Sequence, residues 1–187
     1  MKWLLALICT LSTLLPAHAQ EVDSVLWSAA RPLTWDDFKG PVPENTAFKA
    51  LTDYKISFKG HVDPNRYTKK GSKQPLVVYD VICQFNTNNS WVVKGSETDV
   101  LLKHEQTHFD IAEWHARDLR KKLAELDPDE ASGGRAVTKL FQLVSRECRA
   151  IQDRYDRETD HGVNAEKQKE WESKVSKELK KLDKYAL

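Results

Sequence analysis

The segment at residues 96–126 most constrains the fold, because its apolar residues recur every three or four positions. That spacing is typical of an amphipathic α-helix. Ser96 or Thr98 can cap its start, and Glu97 and Asp99 place negative charge where the helix dipole favours it. The apolar positions are Leu102, Phe109, Ala112, Ala116, Leu119, Leu123 and Leu126. We therefore expect one long helix against which the rest of the chain packs.

Two histidines in this helix, His104 and His108, stand four residues apart, with Glu105 directly after the first. Residues four apart share a helix face, so both imidazoles can reach one metal ion. Glu105 lies about 100° further round the helix and can reach a metal-bound water without being a ligand. This HExxH pattern predicts a Zn²⁺-dependent hydrolase with His104 and His108 as ligands and Glu105 as the catalytic general base.

Catalytic zinc normally has three protein ligands, so a third must be found. His115 lies seven residues beyond His108, about 10 Å along the axis, which is too far for one ion. Glu113 is displaced about 7.5 Å from His108 and turned off the metal face. His61, in a predicted loop after the first strand, is a weaker candidate.

The richest source of a third ligand is residues 155–162, which read YDRETDHG and follow a predicted second helix. His161 is the predicted third metal ligand, because its nitrogen suits zinc and the His-Gly pair suits a turn. Asp156 and Asp160 are the alternatives. Without the HExxH motif, the same segment would be interpreted as a polar loop between helices.

Two supporting roles stay open at this stage. A carboxylate commonly orients a ligand imidazole through its other nitrogen, and Asp110, Glu147 or Asp153 could serve. Tyr155 or Tyr54 could donate a hydrogen bond to the tetrahedral intermediate. The sequence does not choose among them.

The middle third of the chain favours strands. Residues 50–60 alternate, and Pro75–Asn86 is rich in Val, Ile, Tyr and Phe, whereas residues 64–73 are typical of a polar loop. Residues 91–94 predict a short returning strand. Earlier, Trp35 and Phe38 predict one helical turn whose aromatic face packs on the body.

Two further helices are predicted, at about residues 136–155 and 164–184. Asp127-Pro128 and Gly133-Gly134 bound the first connection. The charges of the last helix are dense and of both signs, as on a solvated face. Strands followed by helices predict an α+β fold, with a small mainly antiparallel sheet packed against the HExxH helix.

The first residues have the form of an export signal. Lys2 precedes an apolar run of 13 residues, and Ala17-His18-Ala19 has the small-x-small form of a cleavage site. The run is shorter than the roughly 20 residues that span a bilayer. We expect residues 1–19 to be a signal peptide, residues 20–162 a metallohydrolase domain, and residues 163–187 a C-terminal amphipathic helix packed on it. The protein is then secreted or periplasmic.

The charge balance excludes a typical nucleic-acid binder. The chain has 29 basic and 28 acidic residues, and loss of Lys2 with the signal peptide leaves them equal. That is not the electrostatic footprint of a nucleic-acid partner. No second apolar stretch predicts a membrane span. Cys83 and Cys148 remain, and they form either a disulfide, as an oxidising compartment allows, or two separate buried thiols.

Three motifs together resemble a bacterial family of predicted secreted zinc-dependent proteases that is catalogued as a domain of unknown function. They are LTWDDFKG at residues 33–40, HEQTHFDI at residues 104–111 and YDRETDHG at residues 155–162. The resemblance implies a zincin-like arrangement in which a later helix delivers the third ligand. The chain is also similar to zincins whose third ligand is an aspartate in a glycine-ended motif, which keeps Asp156 and Asp160 as alternatives.

The predicted function is that of a secreted zinc peptidase acting on a peptide or protein substrate. In zincins the substrate usually lies extended along an edge strand, which Pro75–Asn86 or residues 91–94 could provide. A cell-wall amide hydrolase is the first alternative, since its metal chemistry is identical. The second is a non-catalytic secreted metal-binding or interaction module, which a fourth protein ligand would favour.

Overall fold

The computed structural model of the protein describes residues 24–187, so the predicted signal peptide lies outside the described part. Within it the chain forms four α-helices and two small antiparallel sheets. The α+β class predicted from the sequence is therefore confirmed. None of the helices in residues 24–187 is long and apolar enough to cross a membrane.

The larger sheet has three antiparallel strands, β1 (Ser24–Leu26), β3 (Tyr54–Tyr67) and β4 (Pro75–Asn86), in the order β1-β4-β3. The smaller sheet pairs β2 (Ala50–Leu51) with β5 (Trp91–Val92). The strand predicted over Pro75–Asn86 is confirmed to the residue. β4 is the middle strand: β3 pairs with it along nearly its whole length, whereas β1 pairs only with its last three residues, 84–86.

The polar segment at residues 64–73 is not all loop, and this part of the prediction was wrong. β3 continues to Tyr67, because β4 offers a partner along its whole length up to the Tyr67–Pro75 pair. Pro64 is accommodated at an irregularity between Asp63 and Tyr67, on an edge strand that tolerates a missing N–H. His61 consequently lies within a strand.

The helices are α1 (Asp99–Glu125), α2 (Pro128–Ser132), α3 (Arg135–Thr159) and α4 (Ala165–Lys181). The Thr98 side chain caps α1 by accepting a hydrogen bond from the Leu101 N–H at 3.2 Å. The start of α1 at this cap was predicted. The end of α3 was not, because α3 continues to Thr159, four residues beyond the predicted end at residue 155. A 3₁₀ turn at Asp183–Tyr185 follows α4.

Two apolar clusters on either side of α1 hold the fold together. The first joins β4 to α1 and α3, and the second joins α1, α3 and α4 through Ile111, Tyr155 and Trp171. The predicted aromatic turn forms at Trp35–Asp37, and the Phe38 ring packs 5.0 Å from Phe85. α1 is therefore covered on both sides and cannot shift without disturbing both clusters.

A buried ion-pair network fixes the C-terminal end of α1. The Glu113 carboxylate accepts hydrogen bonds from Arg117 at 3.0 Å and from Arg120 at 2.9 Å. Arg117 also donates to the backbone carbonyl of Leu179, and Arg120 to that of Tyr185. Glu113 is thus a structural residue far from the metal face, as its helix position predicted.

Cys83 and Cys148 are both free thiols and both buried, so of the two alternatives the structure has separate thiols. The Cys148 Sγ lies 3.4 Å from the Tyr54 hydroxyl. Burial raises the pKa of Cys148 to about 11 and that of Cys83 well above its usual value. Both thiols are therefore protonated and poorly nucleophilic at neutral pH.

Candidate metal centre

Three side chains from two helices converge on one point. α1 places His104 and His108 with their Nε2 atoms 3.1 Å apart. α3 brings Asp156 Oδ1 to 3.2 Å from His104 Nε2 and 2.9 Å from His108 Nε2. With ligand distances of about 2.0–2.1 Å, tetrahedral ligands lie about 3.3 Å apart. The three separations are close to that value.

Two glutamines decide which imidazole nitrogens face this point. Gln152 Nε2 donates to the His108 backbone carbonyl, so its Oε1 must accept from His108 Nδ1, at 2.6 Å. Gln168 Nε2 donates to the Glu172 carboxylate, so its Oε1 accepts from His104 Nδ1, at 3.3 Å. When neutral, both imidazoles then carry the proton on Nδ1 and turn an Nε2 lone pair inwards.

Two lone pairs and a carboxylate oxygen at this separation repel one another unless a cation lies between them. Asp156 Oδ1 is buried and, within residues 24–187, has no partner in hydrogen-bond geometry. Burial alone would raise the pKa of Asp156, but the two imidazoles hold it well below its usual range. Burial would lower the pKa of His108, but Asp156 and Glu105 raise it. The donor set therefore fits a bound cation, which is a proton or a metal ion.

Glu105 supplies the second unsatisfied atom of the site. Its side chain lines the same cleft, the residue is only 4% exposed, and its Oε2 has no hydrogen-bond partner within residues 24–187. A buried carboxylate oxygen without a donor is costly unless a ligand or water serves it. Glu105 and the three donors therefore line one cleft, and the HExxH spacing accounts for their shared position.

The turn after α3 borders the site and has a left-handed backbone conformation. Asp160, His161 and Gly162 all have positive φ, at 49°, 51° and 84°. Gly162 suits this conformation, as its sequence position predicted, but non-glycine residues there are strained. A Cβ on Gly162 would lie 3.0 Å from His104 Cγ. The turn therefore places bare backbone against the His104 ring.

His161 lies beside the three-residue group and not in it. Its Nδ1 is 3.5 Å from Asp156 Oδ1, its ring is 5.1 Å from that of Phe48, and its side chain is half exposed. The residues whose donor atoms all lie within 4.8 Å of one another are His104, His108 and Asp156. Asp160 is exposed and lines the cleft. The structure thus groups Asp156, an alternative at the sequence level, with the two histidines.

The other candidates lie elsewhere. His115 Nδ1 donates to the Ile111 carbonyl at 2.8 Å, and burial lowers the pKa of its imidazole. His61 pairs with Asp80 on the exposed sheet, at 3.1 Å. Neither approaches the group, and His115 is a buried packing residue.

The residues that orient the two imidazoles were not predicted from the sequence. Amides, not the proposed carboxylates, orient both imidazoles, and Asp110 instead accepts from Trp27 Nε1 at 2.8 Å. Gln152 could have been found, since it stands one helical turn before Asp156. Gln168 lies on α4 and gives no local signal.

The two tyrosines considered as donors to an intermediate are both engaged away from the cleft. Tyr155 is fully buried, its ring stacks 4.7 Å from that of His104, and its hydroxyl donates to Gln168 Oε1 at 2.7 Å. The Tyr54 hydroxyl is paired with Cys148. Tyr155 thus supports the His104 ring on the side away from the cleft.

The group opens into a cleft of about 780 Å³. One wall is residues 47–52, which include β2, and the other is the start of α1 with the turn at residues 160–163. The predicted edge strands do not face this cleft: β4 is central in its sheet, and β5 lies behind β2. Thr52 ties the β2 wall to α1 by donating to the Glu105 carbonyl at 3.3 Å.

A family described as "Bacterial protein of unknown function (DUF922)" matches residues 84–162. The match begins in β4 and ends at Gly162, so it contains α1, α3 and every member of the three-residue group. It covers less than half of the chain. No curated protein and no solved structure matches the chain.

Proposed function

We propose that this protein is a zincin-like, zinc-dependent hydrolase that cleaves peptide bonds. His104, His108 and Asp156 hold the ion, and Glu105 is the general base. The observation that supports this most is the pairing of two unsatisfied buried carboxylate oxygens, Asp156 Oδ1 and Glu105 Oε2, on one cleft. A structural zinc site would use four protein ligands and would not need a free base beside it.

In this proposal each residue of the site has a separate role. When bound, zinc would lower the pKa of a water and polarise the substrate carbonyl. Glu105 Oε2 takes the proton from the attacking water and returns it to the leaving amine, so that this carboxylate acts first as base and then as acid. Gln152 and Gln168 keep both imidazoles in the tautomer that presents Nε2. Burial around Tyr155 excludes water from behind the ligands.

The place of action belongs to the same proposal. The N-terminal pattern at residues 1–19 supports export to the periplasm or beyond. A bound zinc ion there adds stability to a small domain whose two cysteines are not cross-linked.

The experiment that tests the assignment is the metal content of the purified mature protein and three variants. We expect about one zinc per chain in the wild type, loss of zinc in Asp156→Ala, and retention in His161→Ala and Glu105→Gln. Peptide hydrolysis should disappear in Glu105→Gln although zinc remains.

Each other outcome has a definite meaning. Loss of zinc in His161→Ala with retention in Asp156→Ala would move the third ligand to the residue first predicted. Zinc bound by four side chains, with no hydrolysis, would favour a non-catalytic module. A wild type that binds no zinc even after zinc is added would refute the hydrolase.

A further inference from the structure

Exposed apolar residues are concentrated on the cleft. Ten large apolar residues within residues 24–187 are exposed, and four of them line this cleft, although it includes only 19 of these 164 residues. The four are Phe48, Leu51, Val100 and Val163. Single exposed apolar residues are normal on a protein surface, but a cluster around one concavity marks a binding site.

Two of the four, Val100 and Val163, lie on elements that carry or contact His104. Val100 stands one helical turn before His104, so both share a face of α1. Val163 follows Gly162, whose backbone packs on the His104 ring. An apolar rim therefore surrounds the reacting position on the α1 side and on the turn side.

The other wall offers both an apolar surface and a strand. Phe48 packs against His161, and Leu51 precedes Thr52, which is bonded to the Glu105 carbonyl. β2 pairs through one edge with β5, and no other strand of residues 24–187 pairs with β2. A strand with one unpaired edge can bind an extended chain through main-chain hydrogen bonds, while pockets beside it select side chains.

We infer that the cleft takes an extended polypeptide with bulky aliphatic or aromatic side chains next to the bond that is cut. This rests on the proposed hydrolase function and names its substrate class. The four apolar side chains remove such side chains from water and make no hydrogen bonds themselves. They favour a protein substrate over a cell-wall amide, although Lys49, Ser96 and Thr98 also line the cleft.

The test uses the zinc-loaded mature protein and two quenched fluorescent decapeptides that differ only in a central Leu-Phe or Ser-Gln pair. A disaccharide pentapeptide from the cell wall is the third substrate. The diagnostic variant is Leu51→Ser, and the matched control is Leu143→Ser, because the two leucines are similarly exposed, at 40% and 37%, and Leu143 lies outside the cleft.

We expect the Leu-Phe peptide to be cleaved with at least about tenfold higher kcat/KM than the Ser-Gln peptide. Leu51→Ser should raise KM for the Leu-Phe peptide about fivefold to tenfold at unchanged kcat, which corresponds to the loss of roughly half a leucine burial. Leu143→Ser should behave as the wild type. Equal kcat/KM for the two peptides, faster cleavage of the cell-wall fragment, or equal effects of the two variants would overturn the inference.

Binding separates this inference from the hydrolase proposal. If no peptide is cleaved, affinities of both peptides for zinc-loaded Glu105→Gln protein are measured by fluorescence anisotropy. A tenfold preference for the Leu-Phe peptide that Leu51→Ser abolishes would keep the apolar cleft and discard the peptidase. Equal affinities would discard the apolar cleft as well.

Discussion

Gly162 packs its bare backbone against the His104 imidazole, and one added methyl group tests whether the candidate metal centre depends on that contact. In Gly162→Ala the new Cβ would lie 3.0 Å from Cγ, 3.1 Å from Cβ and 3.3 Å from Nδ1 of His104. The His104 ring would have to move by a few tenths of an ångström. It is restrained by stacking on Tyr155 and by the hydrogen bond to Gln168.

The substitution has two costs that can be separated. The first is left-handed backbone, which costs a residue with a Cβ about 1–2 kcal/mol. Gly71 has nearly the same φ, 79° against 84°, with nothing within 4 Å of its added Cβ, so Gly71→Ala has the first cost alone. The second is the displaced ring. Metal–ligand distances tolerate about 0.2 Å, so we expect about tenfold weaker zinc binding, equivalent to about 1.4 kcal/mol.

Two measurements distinguish the costs. In thermal unfolding without metal, both substitutions should lower Tm by roughly 2–8 °C, because a loss of about 1 kcal/mol of stability shifts the Tm of a chain of this size by about 2–4 °C. Zinc affinity, measured by competition with a chromophoric chelator, should fall in Gly162→Ala and stay at the wild-type value in Gly71→Ala. Wild-type zinc affinity in Gly162→Ala would show that the contact with His104 has no role in the site.

Three further predictions concern the surroundings of α1. Gln152→Leu should weaken zinc binding about 10–100-fold, since His108 loses the acceptor for its Nδ1–H; unchanged affinity in the chelator titration would contradict this. Burial lowers the folded-state pKa of His115, so the unfolded chain binds more protons below its pKa near 6.5 and stability falls as pH falls. Urea unfolding without metal at pH 7.5 and 5 should therefore show a smaller acid loss in His115→Gln than in the wild type, and equal losses would refute the shift. Glu113→Ala should destabilise the protein by about 3–5 kcal/mol, because the buried Arg117 loses its partner; a change below 1 kcal/mol in urea unfolding would count against this.

The local part of the site could be predicted from the sequence because helix geometry is set by the backbone. The spacing of His104, Glu105 and His108 determines which side chains share a face, whatever packs around them. The limits of Pro75–Asn86 were also predictable, since a β-rich run there begins at a proline and ends at a polar turn.

The third donor was decided only by tertiary structure. Asp156 and His161 stand five residues apart in one polar segment, and the choice between them depends on where α3 ends. Packing of Tyr155 under the histidines extends α3 to Thr159, which puts Asp156 in the last helical turns facing α1. His161 falls in the left-handed turn beyond. Local propensities do not depend on that packing, so the sequence alone could not choose between Asp156 and His161.

The amides and the cleft depended on tertiary structure in the same way. Gln168 reaches His104 across 64 residues of sequence, and β2 is a two-residue strand that exists because β5 pairs with it. Sequence periodicity reports which face of an element is apolar, since that depends on neighbours along the chain. Which elements meet, and which edge stays free, depends on burial shared between distant segments, and no single segment of the sequence contains that information.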